Sequence, residues 1–257
     1  MNKDLIRQIM NVLAVVVMIT INVLANALPI NGQNTGDISD LFQVFFVPAG
    51  YVFSIWGLIY IGLAAFAIYQ ALPAQRENPR LRKIGYWFVL SCAANSIWIF
   101  MWHYNLFPLS LLVMLVLLAS LLVIYLRLDA SRTQVSTIER WCVNIPFSVY
   151  LGWITVATVA NATDVLYNLG WNGFGVDPET WAVIMLIIAA GLGVAMAVTR
   201  RDIAYLLVLV WAFAGIGVKQ ASEPLVATTA WIVTALMIVM IFYALFARKG
   251  QLSQAPA

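Results

Sequence analysis

Residues 84–126 read IGYWFVLSCAANSIWIFMWHYNLFPLSLLVMLVLLASLLVIYL, without one Asp, Glu, Lys or Arg. As a single helix at 1.5 Å per residue this run would extend about 65 Å, roughly twice the ~30 Å hydrocarbon core of a bilayer. Its middle resolves the excess. His103-Tyr104-Asn105-Leu106-Phe107-Pro108 gathers polar groups and a proline that suits the first turn of a helix rather than its interior. The stretch is therefore read as a hairpin of two membrane crossings.

Working outward, residues 8–36, 41–75, 141–163, 180–199, 203–218 and 224–247 are also free of charge. The reading is an all-α, polytopic transmembrane bundle of about eight helices, near 8–28, 51–72, 84–103, 107–127, 141–162, 180–199, 203–218 and 225–247. With the N-terminus inside, thirteen of the fourteen Lys and Arg residues fall on the cytoplasmic face and only Lys219 falls outside. A wrong helix count would scramble that asymmetry. Both termini are thus expected in the cytoplasm of a multi-pass protein of a bacterial plasma membrane. Lys3 and Arg7, an apolar run and Ala25-Asn26-Ala27 resemble a cleavable signal. The run is nevertheless longer than the usual 7–15 residues of such a signal, so it is read as a retained helix. The tail, 251–257, is expected to fray.

Composition agrees. The 257 residues are 63% hydrophobic and 10% charged, against about 25% charged in soluble domains, and the mean hydropathy is +0.91. This excludes a disordered chain, a nucleic-acid binder and a water-soluble enzyme. Two Cys (Cys92, Cys142) and one His (His103) leave no basis for a disulfide framework or a His/Cys metal cage. No carboxylate pair lies within a predicted span and no nucleophile–His constellation can be drawn, so no catalytic residue is assigned.

Depth along each helix singles out a cluster. Trp56 lies about 8 Å from the outer start of the second helix. Asn95 and Trp98 share a face near the outer end of the third, and Trp102 continues their stripe. Tyr150, Trp153, Ala157 and Asn161 form a stripe on the fifth, and Asn22 and Asn26 lie toward the outer end of the first. Amides and indole N–H groups inside a bilayer require partners, and a ring-lined cavity with a few such groups is the usual form of a small-molecule site. The same residues also fit helix packing through hydrogen bonds and small side chains. Trp87, Trp102, Trp141, Trp181 and Trp231, near helix ends, fit an interfacial belt. His103 reads as an interfacial hydrogen-bonding residue, with axial ligation of a haem-like molecule as the alternative. Lys219 reads as a snorkelling lysine. Ala189, Ala190, Gly191, Gly193, Ala195 and Ala197, then Ala212, Ala214, Gly215 and Gly217, offer small faces for packing on the core or on a second subunit.

Three motifs resemble the TspO/MBR family of translocator and tryptophan-rich sensory proteins. Val47-Pro48-Ala49-Gly50-Tyr51-Val52-Phe53-Ser54-Ile55-Trp56-Gly57-Leu58-Ile59-Tyr60 is similar to that family's proline-glycine-aromatic-Val-Phe, Trp and Leu-x-Tyr pattern. Asn95-Ser96-Ile97-Trp98 resembles its Asn-x-x-Trp. Tyr150-Leu151-Gly152-Trp153, with Ala157 and Asn161, resembles its Tyr-Leu-x-Trp helix. The motifs fall in family order on helices 2, 3 and 5. Tyr51 replaces the family's Trp, Ile55 its Pro, Pro146 lies upstream of its proline, and the fourth helix lacks its Trp. The resemblance covers about residues 8–165 and implies a five-helix core, 1–168, followed by three further helices, 169–257.

Together with the depth of each residue, the resemblance points to a ligand site made of Asn22, Pro48, Tyr51, Trp56, Tyr60, Asn95, Trp98, Tyr150, Trp153, Ala157 and Asn161 beneath the 29–50 loop. The ligand it implies is a tetrapyrrole such as protoporphyrin or haem, or a sterol-like lipid, with no obligatory cofactor and no metal. Light-dependent porphyrin breakdown has been attributed to such sites. The expected function is therefore a membrane receptor or sensor for a planar hydrophobic molecule. The alternatives are a transporter of a hydrophobic solute or a structural subunit. The expected partners are the bilayer, the small molecule and a second copy as homodimer, and no nucleic acid.

Overall fold

The structure is a computed structural model that describes residues 2–252, with side chains through 247. Most of the tail expected to fray, from 253 onward, lies outside the described residues. Eight long helices follow in series and no strand occurs among the described residues: α1 (Lys3–Ala27), α2 (Ile55–Ala71), α3 (Trp87–His103), α4 (Phe107–Leu128), α5 (Ile145–Asn168), α6 (Pro178–Thr199), α7 (Ile203–Lys219) and α8 (Pro224–Leu252). Six apolar stretches, which include α1, α2, α4, α5, α6 and α8, are long enough to cross a membrane by length and composition. The other two, α3 and α7, have 17 residues each, about 25 Å.

The hairpin in 84–126 forms as its sequence predicts. Asn105 takes a left-handed conformation, and Leu106 N–H reaches back to Met101 O at 2.8 Å, so the chain reverses in three residues. Pro108 then sits in the first turn of α4. At the other end of α3, Gly85 at φ 58° separates it from a short helix, Pro79–Ile84, so α3 begins at 87 rather than 84. Helix α5 runs to Asn168 rather than 162, and this puts Asp164 inside it, 5% exposed. Asp177 caps α6, and the Thr180 N–H and hydroxyl hold its carboxyl below the usual carboxylate range.

α1 packs on α2 and α3, α3 on α4, α4 on α5, and α5 on α2, which closes a ring of five. Helices α6–α8 pack on one another and meet the ring chiefly where α7 lies along α5. Much of the bundle's outside is apolar, as at Ile61, Ile68, Leu112, Ile187 and Val239, which suits lipid.

The two ends differ in charge. At the basic end, Arg82 pairs with Asp4 at 2.6 Å, Arg80 with Glu139 at 2.7 Å and Arg200 with Asp129 at 2.7 Å. Gln8 and Gln70 lock α1 to α2 by donating to each other's backbone carbonyls. At the other, loop-bearing end, Lys219 holds Asp40 at 2.6 Å, Gln220 donates to Phe45 O, and Ala49 N–H donates to Gly215 O. The loop after α1 is thereby fastened across the bundle to the end of α7, a duty for the last three helices that periodicity does not reveal.

Candidate functional site

From the loop end inward, the ring's interior is built in layers. The outermost is a clamp. His103, fully buried, offers Nδ1 to Ile30 O at 3.2 Å and meets Thr35 Oγ1 at Nε2, 3.0 Å, while its own carbonyl accepts from Asn31. A carbonyl can only accept, so Nδ1 carries the proton and Nε2 accepts from the threonine hydroxyl. Neither ring nitrogen is left for an iron, and the sequence has no other histidine. Trp102 belongs here and not to a surface belt: it is 2% exposed, stacks on Trp98 at 5.3 Å and donates Nε1 to Thr35 O.

Below the clamp, Trp98 Nε1 donates to Asn161 Oδ1 at 3.2 Å, and Asn161 Nδ2 donates to Ser110 Oγ at 3.0 Å. One helical turn deeper, Asn22 Nδ2 donates to Asn95 Oδ1 at 2.7 Å, and Asn95 Nδ2 donates to Tyr150 Oη at 2.9 Å. These chains tie α3 to α4 and α5, and α1 to α3 and α5, with all the amides buried. Replacing Asn95 by Leu removes both links of the second chain. A loss of about 1–2 kcal/mol is expected, read as thermal unfolding in detergent, with Asn22→Leu adding little on top. Full additivity of the two would contradict the chain.

Beside the amides lies an aromatic corner. Trp56 stacks on Tyr60 at 5.6 Å and meets the edges of Tyr150 at 6.1 Å and Trp153 at 6.2 Å, and Phe53 meets Trp153 at 5.9 Å. Trp56 and Tyr60 are half-buried, so the corner reaches the bundle surface. Trp153 is 3% exposed and its Nε1 has no hydrogen-bond partner. Toward the basic end the interior closes: Phe66, Phe88 and Phe147, each at most 1% exposed, meet edge to face at 4.8 to 5.8 Å.

Nine of the eleven residues expected at the site therefore lie on the ring's inner stripes. Ala157 is half-buried between Trp153 and Asn161 along α5, with only packing contacts. Pro48 and Tyr51 go elsewhere. Pro48 is buried near Gly215 of α7, and Tyr51 is exposed with its ring edge on Trp211 at 5.4 Å. The turn Gly50–Ser54 faces them toward α7, which a five-helix reading had no reason to place there. Sequence reasoning missed Ser110, Phe53 and Asp202. The signal for Asp202 was present, since an Asp immediately before an apolar run marks a helix N-cap. Cys92 is buried, Cys142 half-buried, and both are free thiols.

A further cavity lies outside this cluster. It is a groove of about 880 Å³ between α2, the start of α5 and α7, lined by none of the eleven.

A family model described as TSPO-like protein matches residues 8–243. The match extends past the motifs on helices 2, 3 and 5, through α6 and α7 and into α8, so the last three helices fall within the family pattern. No curated protein and no solved structure matches the chain.

Proposed function

The chain belongs to the TSPO-like protein family, and from that membership we propose that it is a membrane receptor for a planar, hydrophobic, uncharged small molecule. The molecule would bind at the corner of Trp56, Tyr60, Tyr150 and Trp153, replacing ring–ring contacts there. One observation carries this reading: the Trp153 N–H is buried and unspent. Leaving such a donor without an acceptor costs about 1–3 kcal/mol, which a ligand carbonyl, hydroxyl or ring nitrogen would recover. Flat ring systems suit the faces and edges of the surrounding aromatics.

Charge narrows the class. The loop end bears Asp37, Asp40, Asp177, Glu179 and Glu223, and its one described cation, Lys219, is already paired with Asp40. A sterol-like molecule or a neutral porphyrin is favoured there over a porphyrin dianion. With His103 spent in the clamp, axial ligation of haem finds no support. The Phe66–Phe88–Phe147 plug and the Gln8–Gln70 lock support a dead-end site rather than a transport path. The cytoplasmic placement of the basic end, the plasma-membrane location and a 1–168/169–257 division are part of the same proposal.

The test is titration with protoporphyrin dimethyl ester, followed by quenching of Trp fluorescence in detergent, with the free diacid alongside. Saturable quenching is expected, tighter for the ester. Trp153→Phe keeps an aromatic ring, though a smaller one, and loses the donor, so affinity should fall about five- to tenfold, the equivalent of one hydrogen bond. Trp98→Phe, whose N–H is spent on Asn161, should change affinity less. Unsaturable quenching, or equal affinity in the wild type and Trp153→Phe, would overturn the assignment.

A further inference from the structure

The groove between α2 and α7 has a chemistry of its own. Its volume, about 880 Å³, falls in the ~300–1,000 Å³ range of small-molecule sites. Along most of its length the walls are apolar, with Ile55, Leu58 and Ile61 on one side and Leu207 and Trp211 on the other. Leu58, Ile61, Leu207 and Trp211 are also exposed, so the groove opens sideways, where a bilayer supplies acyl chains rather than water. Polar groups gather mainly at the end nearest the basic face, where Arg140, Asn144, Ser148 and Asp202 line it with Ser131 and Thr133, while Ser54 lines the other end.

Backbone irregularity builds that polar end. Pro146 lies in a continuous helical stretch that starts at Thr137, and it has no N–H to offer the carbonyl four residues earlier. The chain answers with a π turn over Arg140–Asn144, in which Ile145 N–H bonds Arg140 O. The wider turn brings Arg140, Trp141, Cys142, Asn144 and Ile145 all into the groove, the kind of register change that π turns make at functional sites.

Most of these polar groups are already satisfied. Asp202 Oδ2 accepts from Tyr125 Oη at 2.7 Å and Ser148 Oγ at 2.6 Å, and Oδ1 accepts from Tyr205 N–H at 3.2 Å. Asn144 accepts from Arg80 and donates to Ala130 O. Arg140 differs. Arg7, Arg80, Arg82 and Arg200 each hold a carboxylate, whereas Arg140 is exposed and, among the described residues, pairs with none. The groove thus offers a long apolar wall and one unspent guanidinium at its interfacial end.

We propose that this groove holds one anionic glycerophospholipid, its phosphate on Arg140 and an acyl chain between α2 and α7. Guanidinium recognises phosphate through paired N–H donors, and a basic group at the membrane surface draws anionic lipid. Inorganic phosphate alone would leave the apolar wall uncovered.

The experiment uses the full chain in phosphatidylcholine nanodiscs containing phosphatidylglycerol with a photoactivatable acyl chain, with crosslinked lipid counted by mass spectrometry and located by peptide mapping. One labelled lipid per chain is expected, with label on α2 and α7. Arg140→Gln should lower capture about fivefold, and Ala204→Phe, which fills the groove wall, should abolish it while labelled phosphatidylcholine is captured weakly by all forms. Arg140 is exposed, so its variant keeps the test informative even if Ala204→Phe melts early. Equal capture by the wild type and Arg140→Gln, competition by inorganic phosphate, or crosslinks from the groove to a second copy would each overturn the proposal.

Discussion

Asp202→Ala is expected to lower the unfolding free energy by about 3–4 kcal/mol, the sum of a lost helix cap and broken charge-assisted hydrogen bonds. The carboxylate is 3% exposed and caps α7 through Tyr205 N–H. It also gathers hydroxyls from two other helices, Tyr125 on α4 and Ser148 on α5. Truncation leaves Ser148 and Tyr125 without that acceptor, although Tyr125 keeps its contact with Ser131. Three helices are joined at this one atom pair, so the cost exceeds that of a surface cap. Asp202→Asn keeps one acceptor oxygen and should lose about half as much. Thermal unfolding in a fixed detergent, with Tyr125→Phe and Ser148→Ala as partners, measures the network. A shift for Asp202→Ala no larger than that of either partner would remove Asp202 from its centre.

Gly215→Ala should cost about 2–3 kcal/mol, because the added methyl has nowhere to go. A Cβ at position 215 would collide with Val52 Cγ2 and come within 3.3 Å of Pro48 Cβ. Val52 is a stiff, fully buried β-branched side chain, so the segment and α7 would have to separate. That would also strain the hydrogen bonds from Ala49 N–H to Gly215 O and from Trp211 Nε1 to Val52 O. Val52→Ala removes the colliding methyl, and the pair of changes should therefore cost at least about 1 kcal/mol less than the sum of the singles. An additive cycle, or a Gly215→Ala protein that melts with the wild type, would show that α7 does not press on this segment.

These two contacts show where sequence reasoning stopped. Charge-free runs located all eight helices, and Asn105 and Pro108 located the turn inside the longest of them. Boundaries slipped where a local break carried no charge, as at Gly85, or where a charge lay inside a helix, as at Asp164. The assumption that charges mark helix ends hid the buried carboxyl of Asp164. Within the cluster, the stripes on α3 and α5 were readable because a helix repeats every 3.6 residues. Their partners were not. That Trp98 spends its N–H on Asn161 while Trp153 spends its N–H on nothing depends on how far α3, α4 and α5 are rotated about their axes.

Hydrophobicity and charge act residue by residue along the chain, because each helical residue in lipid must satisfy its own backbone and pass its own transfer cost. The sequence alone therefore determined an all-helical membrane bundle, its helix count and the gathering of basic groups at one end. Which side chains meet is a matter of packing between helices tens to hundreds of residues apart. Only the tertiary structure decided that α7 buttresses the loop, that Pro48 and Tyr51 face it instead of the aromatic corner, and that a lipid-facing groove ends on Arg140.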